Sequence, residues 1–223
     1  MYKLHFMTAR STKTYRELTT GEEIINAITH GIGSLLSIAA LVVLIIIAGR
    51  HGDIWHLVSF SIYGSTLILL YLSSTLYHSF SNPKVKNLFA RFDHISIFML
   101  IAGTYTPILL TSMRGIWGWT LFGIIWGLAI VGAVIRSIYL HRFRKLMVAV
   151  YLLMGWMFVI AGKQIYLSLP SVSITFLVLG GIAYSVGVVF YMWRRLPYAH
   201  GIWHLFVLAG SVLHFFAIYF SIQ

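Results

Sequence analysis

The sequence has few charged residues and no cysteine. Only 9% of its 223 residues are Asp, Glu, Lys or Arg, whereas an ordinary soluble domain carries about a quarter. The absence of cysteine excludes a disulfide framework and thiolate ligands, so any metal site must be built from histidine and carboxylate. The alternating segments of a transmembrane barrel are also missing, because apolar runs such as 35–48 and 121–135 are continuous. We therefore expect an all-α integral membrane protein.

Seven long apolar stretches follow a polar N-terminal segment. Each is long enough for one membrane span, since a helix needs about 20 mostly apolar residues to cross the hydrocarbon core. We predict a seven-transmembrane helix bundle over residues 24–223, preceded by a cytoplasmic N-terminal tail over residues 1–23. The stretches are approximately 24–48, 57–79, 93–113, 116–136, 146–167, 172–193 and 199–220.

The lysines and arginines alternate between the two sides of these predicted spans. Thirteen fall in the tail and in the second, fourth and sixth connections, and three fall on the opposite side. By the positive-inside rule, the N-terminus is predicted to be cytoplasmic and the C-terminus outside, in the cell (inner) membrane. The formal net charge of +11 is thereby explained by topology, and we expect no nucleic-acid partner. The sequence assigns no oligomeric state.

The start of the first stretch carries signals for a helix N-terminus. Thr20 and Glu23 have the spacing of a capping box. Glu23, Asn26 and His30 also fall on one helical stripe. This stripe indicates either support for a nearby site or a purely structural polar seam.

Histidine and aspartate cluster at the ends of spans that the charge pattern places in the cytoplasm. His200 and His204 are four residues apart, which puts both imidazoles on one helical face. His78 ends the second stretch and Asp93 begins the third. Together these four groups suit zinc, with Asp93 either as a ligand or as a general base that acts on water. The alternatives are that each histidine is an interfacial anchor or a helix–helix hydrogen bonder, and that Asp93 pairs with Arg91 or caps its helix.

Four short motifs, in this order, resemble the hemolysin III branch of the progestin and adipoQ receptor family, whose relatives include the adiponectin receptors and, more remotely, the alkaline ceramidases. The motifs are EIINAITHG at 23–31, STLYH at 74–78, RFDH at 91–94 and HGIWH at 200–204. The resemblance covers nearly the whole chain after the tail.

This resemblance implies a zinc ion held by His78, His200 and His204 near the cytoplasmic face. It also implies that Asp93 acts through water and that Ser74 lies close by. The ceramidase relatives imply hydrolysis of a lipid amide or ester, with a membrane lipid as substrate or ligand. The alternatives are a membrane sensor or receptor with structural zinc, and a pore-forming cytolysin.

Overall fold

The computed structural model describes residues 18–140, 142–193 and 195–222, and all regular structure in these ranges is helical. Seven segments are long and apolar enough to cross a membrane, which confirms the predicted all-α fold class and the number of spans. The helices are α1 (Thr20–His51), α2 (Ile54–Ser79), α3 (Pro83–Leu110), α4 (Ile116–Ile138), α5 (Arg144–Gly155), a 3₁₀ helix (Met157–Ala161), α6 (Gly162–Ser168), α7 (Ser171–Met192) and α8 (Ala199–Phe220).

The starts of two helices differ from the sequence prediction. The capping box of α1 is formed by Thr19 and Glu22, so the predicted pair Thr20 and Glu23 is wrong by one residue. Because Glu22 completes the capping box with Thr19, the Glu23 carboxylate is left to contact residues of other helices. Helix α3 begins at Pro83 behind an Asn82 cap, ten residues before the predicted start, because proline fits the first helical turn. The predicted tail lies largely outside the described residues, since these begin at residue 18.

Helix α3 is the most buried of the seven spans, and α1 is the least buried. Helices α1, α2, α3 and α4 pack in chain order, and α8 packs against α7 and α1. One apolar core lies among α3, α4 and the fifth span, and a second lies among α1, α2 and α8. Large apolar side chains such as Leu35 and Ile116 point outward, where lipid can contact them.

The fifth span is broken in the middle, although its sequence predicts one continuous helix over 146–167. The 3₁₀ helix separates α5 from α6. Tyr105 on α3 spans this break: its hydroxyl donates to the Gly155 carbonyl at 2.8 Å and accepts from the Phe158 amide at 3.0 Å. The backbone groups freed by the break are thus paired within the protein, as a membrane span requires.

Replacing Tyr105 with phenylalanine should destabilise the protein by about 1–3 kcal/mol, because the Phe158 amide would lose its acceptor away from water. Thermal unfolding in detergent measures the loss. Tyr166 is 75% exposed, so Tyr166→Phe is a matched control that should leave the melting temperature unchanged. Equal melting temperatures for the Tyr105 variant and the wild type would contradict this role.

Candidate metal centre

Three histidines meet at one end of the bundle. This end, here called the histidine end, carries the C-terminus of α2 and the N-termini of α1, α3 and α8. One ring nitrogen from each of His78, His200 and His204 lies within 4.8 Å of the other two. His78 and His204 are buried, whereas His200 is partly buried. The group could therefore hold a metal ion, and three imidazoles with an open fourth position form a donor set that zinc accepts.

Glu23 orients the His78 ring. Its Oε2 lies 2.6 Å from His78 Nδ1 and its Oε1 accepts from Lys86 Nζ at 2.8 Å. Because a carboxylate oxygen accepts, His78 Nδ1 is the donor in this contact, and in the neutral imidazole the lone pair is then on Nε2, where a metal can bind. A carboxylate behind an imidazole is the usual outer partner of a metal ligand. Helices α1, α2 and α3 each contribute one residue to this chain of contacts.

His204 is oriented by the backbone of α1. Its Nδ1 lies 3.3 Å from the Asn26 carbonyl oxygen and 3.2 Å from Thr29 Oγ1. Since a carbonyl oxygen only accepts, Nδ1 donates and Nε2 holds the lone pair. His204 Nε2 is buried and has no hydrogen-bond partner among the described residues. Coordination of a cation would satisfy this nitrogen, which is otherwise costly to bury.

The distance between the imidazoles of His78 and His200 matches the distance between neighbouring ligand atoms on one metal ion. His200 Nε2 and His78 Nε2 are 3.2 Å apart. In a tetrahedral site with Zn–N bonds of about 2.0–2.1 Å, ligand atoms are about 3.3–3.4 Å apart. The two rings are therefore placed for shared coordination without rearrangement of their helices.

Asp93 borders the histidine site without joining the group, and Ser74 lies one turn before His78 on α2 but is not among the residues that line either cavity. Asp93 is buried and lines the same cavity as His78 and His200. Neither alternative for Asp93 is realised: Arg91 donates to the Ser137 carbonyl, and the cap of α3 is Asn82. The catalytic roles of Asp93 and Ser74 stay predictions.

Three further polar side chains near the site are buried without a hydrogen-bond partner among the described residues. They are the Ser74 hydroxyl, both ring nitrogens of His30 and the side-chain amide of Asn26. The His30 ring stacks on His204, with ring centroids 3.5 Å apart and planes 11° from parallel. The α1 stripe thus faces the site: Glu23 contacts His78, while the Asn26 carbonyl and the His30 ring contact His204. The sequence motif included Thr29, but its contact with His204 depends on how α1 packs against α8.

Two adjoining cavities lie at the histidine end, and they are here called the polar part and the apolar part of a two-part cavity. The polar part has a volume of about 430 Å³, which is in the range of small-molecule sites. A second, apolar part begins at Asp93 and His30 and extends to Leu121 and Leu177, near the opposite end of the bundle. Four residues line both parts: Asp93, Ile97, Tyr191 and Trp203.

Replacing Glu23 with glutamine should weaken metal binding about 10–100-fold, because the charge that supports His78 is lost. Isothermal titration of the purified protein with Zn²⁺ measures the affinity. Asp53 caps α2 at the end opposite His78, so Asp53→Asn removes an equal charge away from the site and should leave the affinity unchanged. Equal Zn²⁺ affinities for Glu23→Gln and Asp53→Asn would show that Glu23 does not support metal binding.

Comparison with known proteins agrees with this architecture. Residues 18–215 match the family model described as "Haemolysin-III related". The chain is 51% identical over 201 residues to Hemolysin-3 of Bacillus cereus, covering 90% of this chain and 92% of the relative. It is 52% identical over 202 residues to the Hemolysin-3 homolog of Bacillus subtilis (strain 168), covering 91% and 95%. It is 29% identical over 222 residues to the human monocyte to macrophage differentiation factor, covering 96% and 90%. The chain is thus a multi-pass membrane protein that belongs to the haemolysin-III-related family, within the hemolysin III branch of the progestin and adipoQ receptor family.

Proposed function

We propose that the protein is a zinc-dependent hydrolase of an amide or ester bond in a membrane lipid. The observation that supports this function best is the two-part cavity. Its polar part contains His78, His200 and Asp93, and its apolar part leads from Asp93 toward the other end of the bundle. The apolar part, with a volume of about 140 Å³, would take the segment of an acyl chain next to the bond to be cleaved, and that bond would then lie beside the histidines.

Each group at the histidine end has a distinct role in this proposal. His78, His200 and His204 would hold zinc, which supplies a Lewis acid that activates water and polarises a carbonyl. Asp93 would take the proton from the attacking water, because its carboxylate borders the cavity without belonging to the histidine group. Ser74 would donate a hydrogen bond from its unpartnered hydroxyl to the oxygen of the substrate carbonyl.

The predicted topology fits a lipid substrate. With the N-terminus in the cytoplasm, as the charge pattern predicts, the histidine end lies at the inner leaflet of the cell membrane. A lipid of that leaflet would place its linkage at the depth of the histidines. Its acyl chain would follow the membrane interior, where the apolar part of the cavity lies.

Purified protein reconstituted in nanodiscs tests the proposal. We expect fatty acid release from N-acyl or O-acyl lipids that stops on zinc chelation and returns when Zn²⁺ is added back. Absence of release from both lipid classes by zinc-loaded, folded protein would overturn the hydrolase assignment.

A membrane sensor with structural zinc is the second candidate function. It is supported by the positions of the ligands, since His78 on α2 and His200 and His204 on α8 would be clamped together by one ion. In that case His78→Ala would lower the melting temperature strongly, and no lipid would be hydrolysed. Metal-dependent release of fatty acid would count against this candidate.

A pore-forming activity is the third candidate. It is suggested by names alone, those of the family and of the two Bacillus relatives. Seven apolar spans make a poor secreted toxin, because such a chain cannot stay soluble between cells. Dye leakage from liposomes that persists after substitution of all three histidines and Asp93 would favour this candidate over the hydrolase.

A further inference from the structure

Two arginines line the polar part of the cavity, and neither has a role in the proposed hydrolysis. Arg136 is in the last turn of α4, and Arg144 is the first residue of α5. Both helix ends lie at the histidine end of the bundle. Arg136 is 1% exposed and Arg144 is partly buried. A guanidinium at such a depth is costly to bury unless its charge is paired.

No carboxylate among the described residues lies within ion-pair distance of either guanidinium. The two acidic residues that line the same cavity make other contacts: Glu22 belongs to the capping box of α1, and Asp93 Oδ2 lies 3.8 Å from His94 Nδ1. The Nε atoms of Arg136 and Arg144 are buried, and neither has a hydrogen-bond partner among the residues that the structure describes. Within the part of the chain that the structure describes, the cavity therefore contains two cations with no carboxylate in ion-pair contact.

Neutral contacts hold both arginines in place. Arg136 donates to the Leu140 carbonyl. Arg144 donates to the Tyr191 carbonyl at 2.7 Å, and its guanidinium lies 4.2 Å from the centre of the Tyr191 ring. These contacts use only part of the five N–H donors of each guanidinium. Because the contacts fix position without neutralising charge, the two side chains are preorganised for an oxyanion.

We propose that Arg136 and Arg144 form a binding subsite for the phosphate of an anionic lipid headgroup. Basic pockets between membrane helices, at headgroup depth, are a known means of recognising such lipids. A lipid is favoured over free phosphate because an adjoining apolar part, which shares four lining residues with the polar part, would accept an acyl chain. This subsite adds to the proposed function that the substrate is an acyl lipid with a negatively charged headgroup. The identification of the bound lipid as a substrate rests on that proposed function.

Lipid binding to the zinc-loaded Asp93→Asn protein in neutral detergent tests the subsite without requiring turnover. The probes are dihexanoyl phosphatidic acid, dihexanoyl phosphatidylcholine and inorganic phosphate, each titrated by microscale thermophoresis. We expect phosphatidic acid to bind at least about tenfold more tightly than either of the others. We also expect Arg144→Gln to weaken its binding about tenfold, equivalent to about 1.4 kcal/mol.

Arg142 supplies the matched control, since it lies in the same connection but is exposed and does not line the cavity. The Arg142→Gln variant should bind phosphatidic acid as tightly as the Asp93→Asn protein that carries no arginine substitution. Arg136→Lys, which keeps the charge but loses the planar fork, should weaken binding without unfolding the protein. Equal losses for Arg142→Gln and Arg144→Gln, or no loss for Arg144→Gln, would overturn the subsite.

The remaining comparisons separate the sources of the anion. Inorganic phosphate that binds as tightly as phosphatidic acid would overturn the assignment to a lipid headgroup. Because binding is measured in a variant designed to be inactive, failure of the hydrolase proposal would leave a positive binding result intact. Conversely, hydrolysis by the native protein with no preference for anionic lipid would overturn the subsite alone.

Discussion

Replacing Asp93 with asparagine is expected to lower lipid hydrolysis by about 100-fold to 10,000-fold, which is the usual contribution of a positioned general base. Asparagine keeps the size of the side chain and one acceptor oxygen, but its amide cannot accept a proton from water. The Asp93 carboxylate is not part of the histidine group, so the metal should stay bound. Rates of fatty acid release and metal content measured on the same preparation test both halves of this prediction.

Asp53→Asn is the matched control, because it makes the same chemical change at the end of α2 opposite His78, away from the metal centre. Asparagine is also a capping residue, so the start of α2 should be preserved. Asp53→Asn should leave turnover unchanged. Wild-type turnover by the Asp93 variant would exclude Asp93 from the mechanism. Loss of turnover together with loss of metal would instead make Asp93 a ligand, contrary to its position outside the histidine group.

The sequence predicted the features that depend on local spacing. The seven spans follow from the lengths of the apolar stretches, and the shared face of His200 and His204 follows from the helical repeat. His78 could be added to this pair because it ends a span on the same side as both of them. The three histidines are close together in the structure, so the metal-binding group was accessible from pattern and topology.

Features that depend on how helices pack were not accessible in this way. The choice between Glu22 and Glu23 as the capping residue changes which carboxylate reaches His78, and both registers satisfy the same motif. The break in the fifth span is stabilised by Tyr105, which comes from another helix. Arg136 and Arg144 read as ordinary positive charges of a cytoplasmic connection, and only the structure places them on the cavity wall.

The double substitution His200→Ala with His204→Ala is expected to abolish metal binding. Two of three ligands are lost, and the one that remains cannot hold zinc at physiological concentrations. Elemental analysis should give a stoichiometry near one in the wild type and near zero in the variant. Zinc present at 100 times its dissociation constant stabilises the folded state by about 2.7 kcal/mol, so the variant should also lose the rise in melting temperature that added zinc produces.

His51→Ala with His56→Ala is the control, since it removes the same number of imidazoles at the opposite end of the bundle, at the end of α1 and the start of α2. Its metal content should equal that of the wild type. Metal retained by the His200 and His204 variant would mean that the ion binds elsewhere. The unpartnered Nε2 of His204 would then be an unexplained cost of burial, and the proposed chemistry would lose its metal.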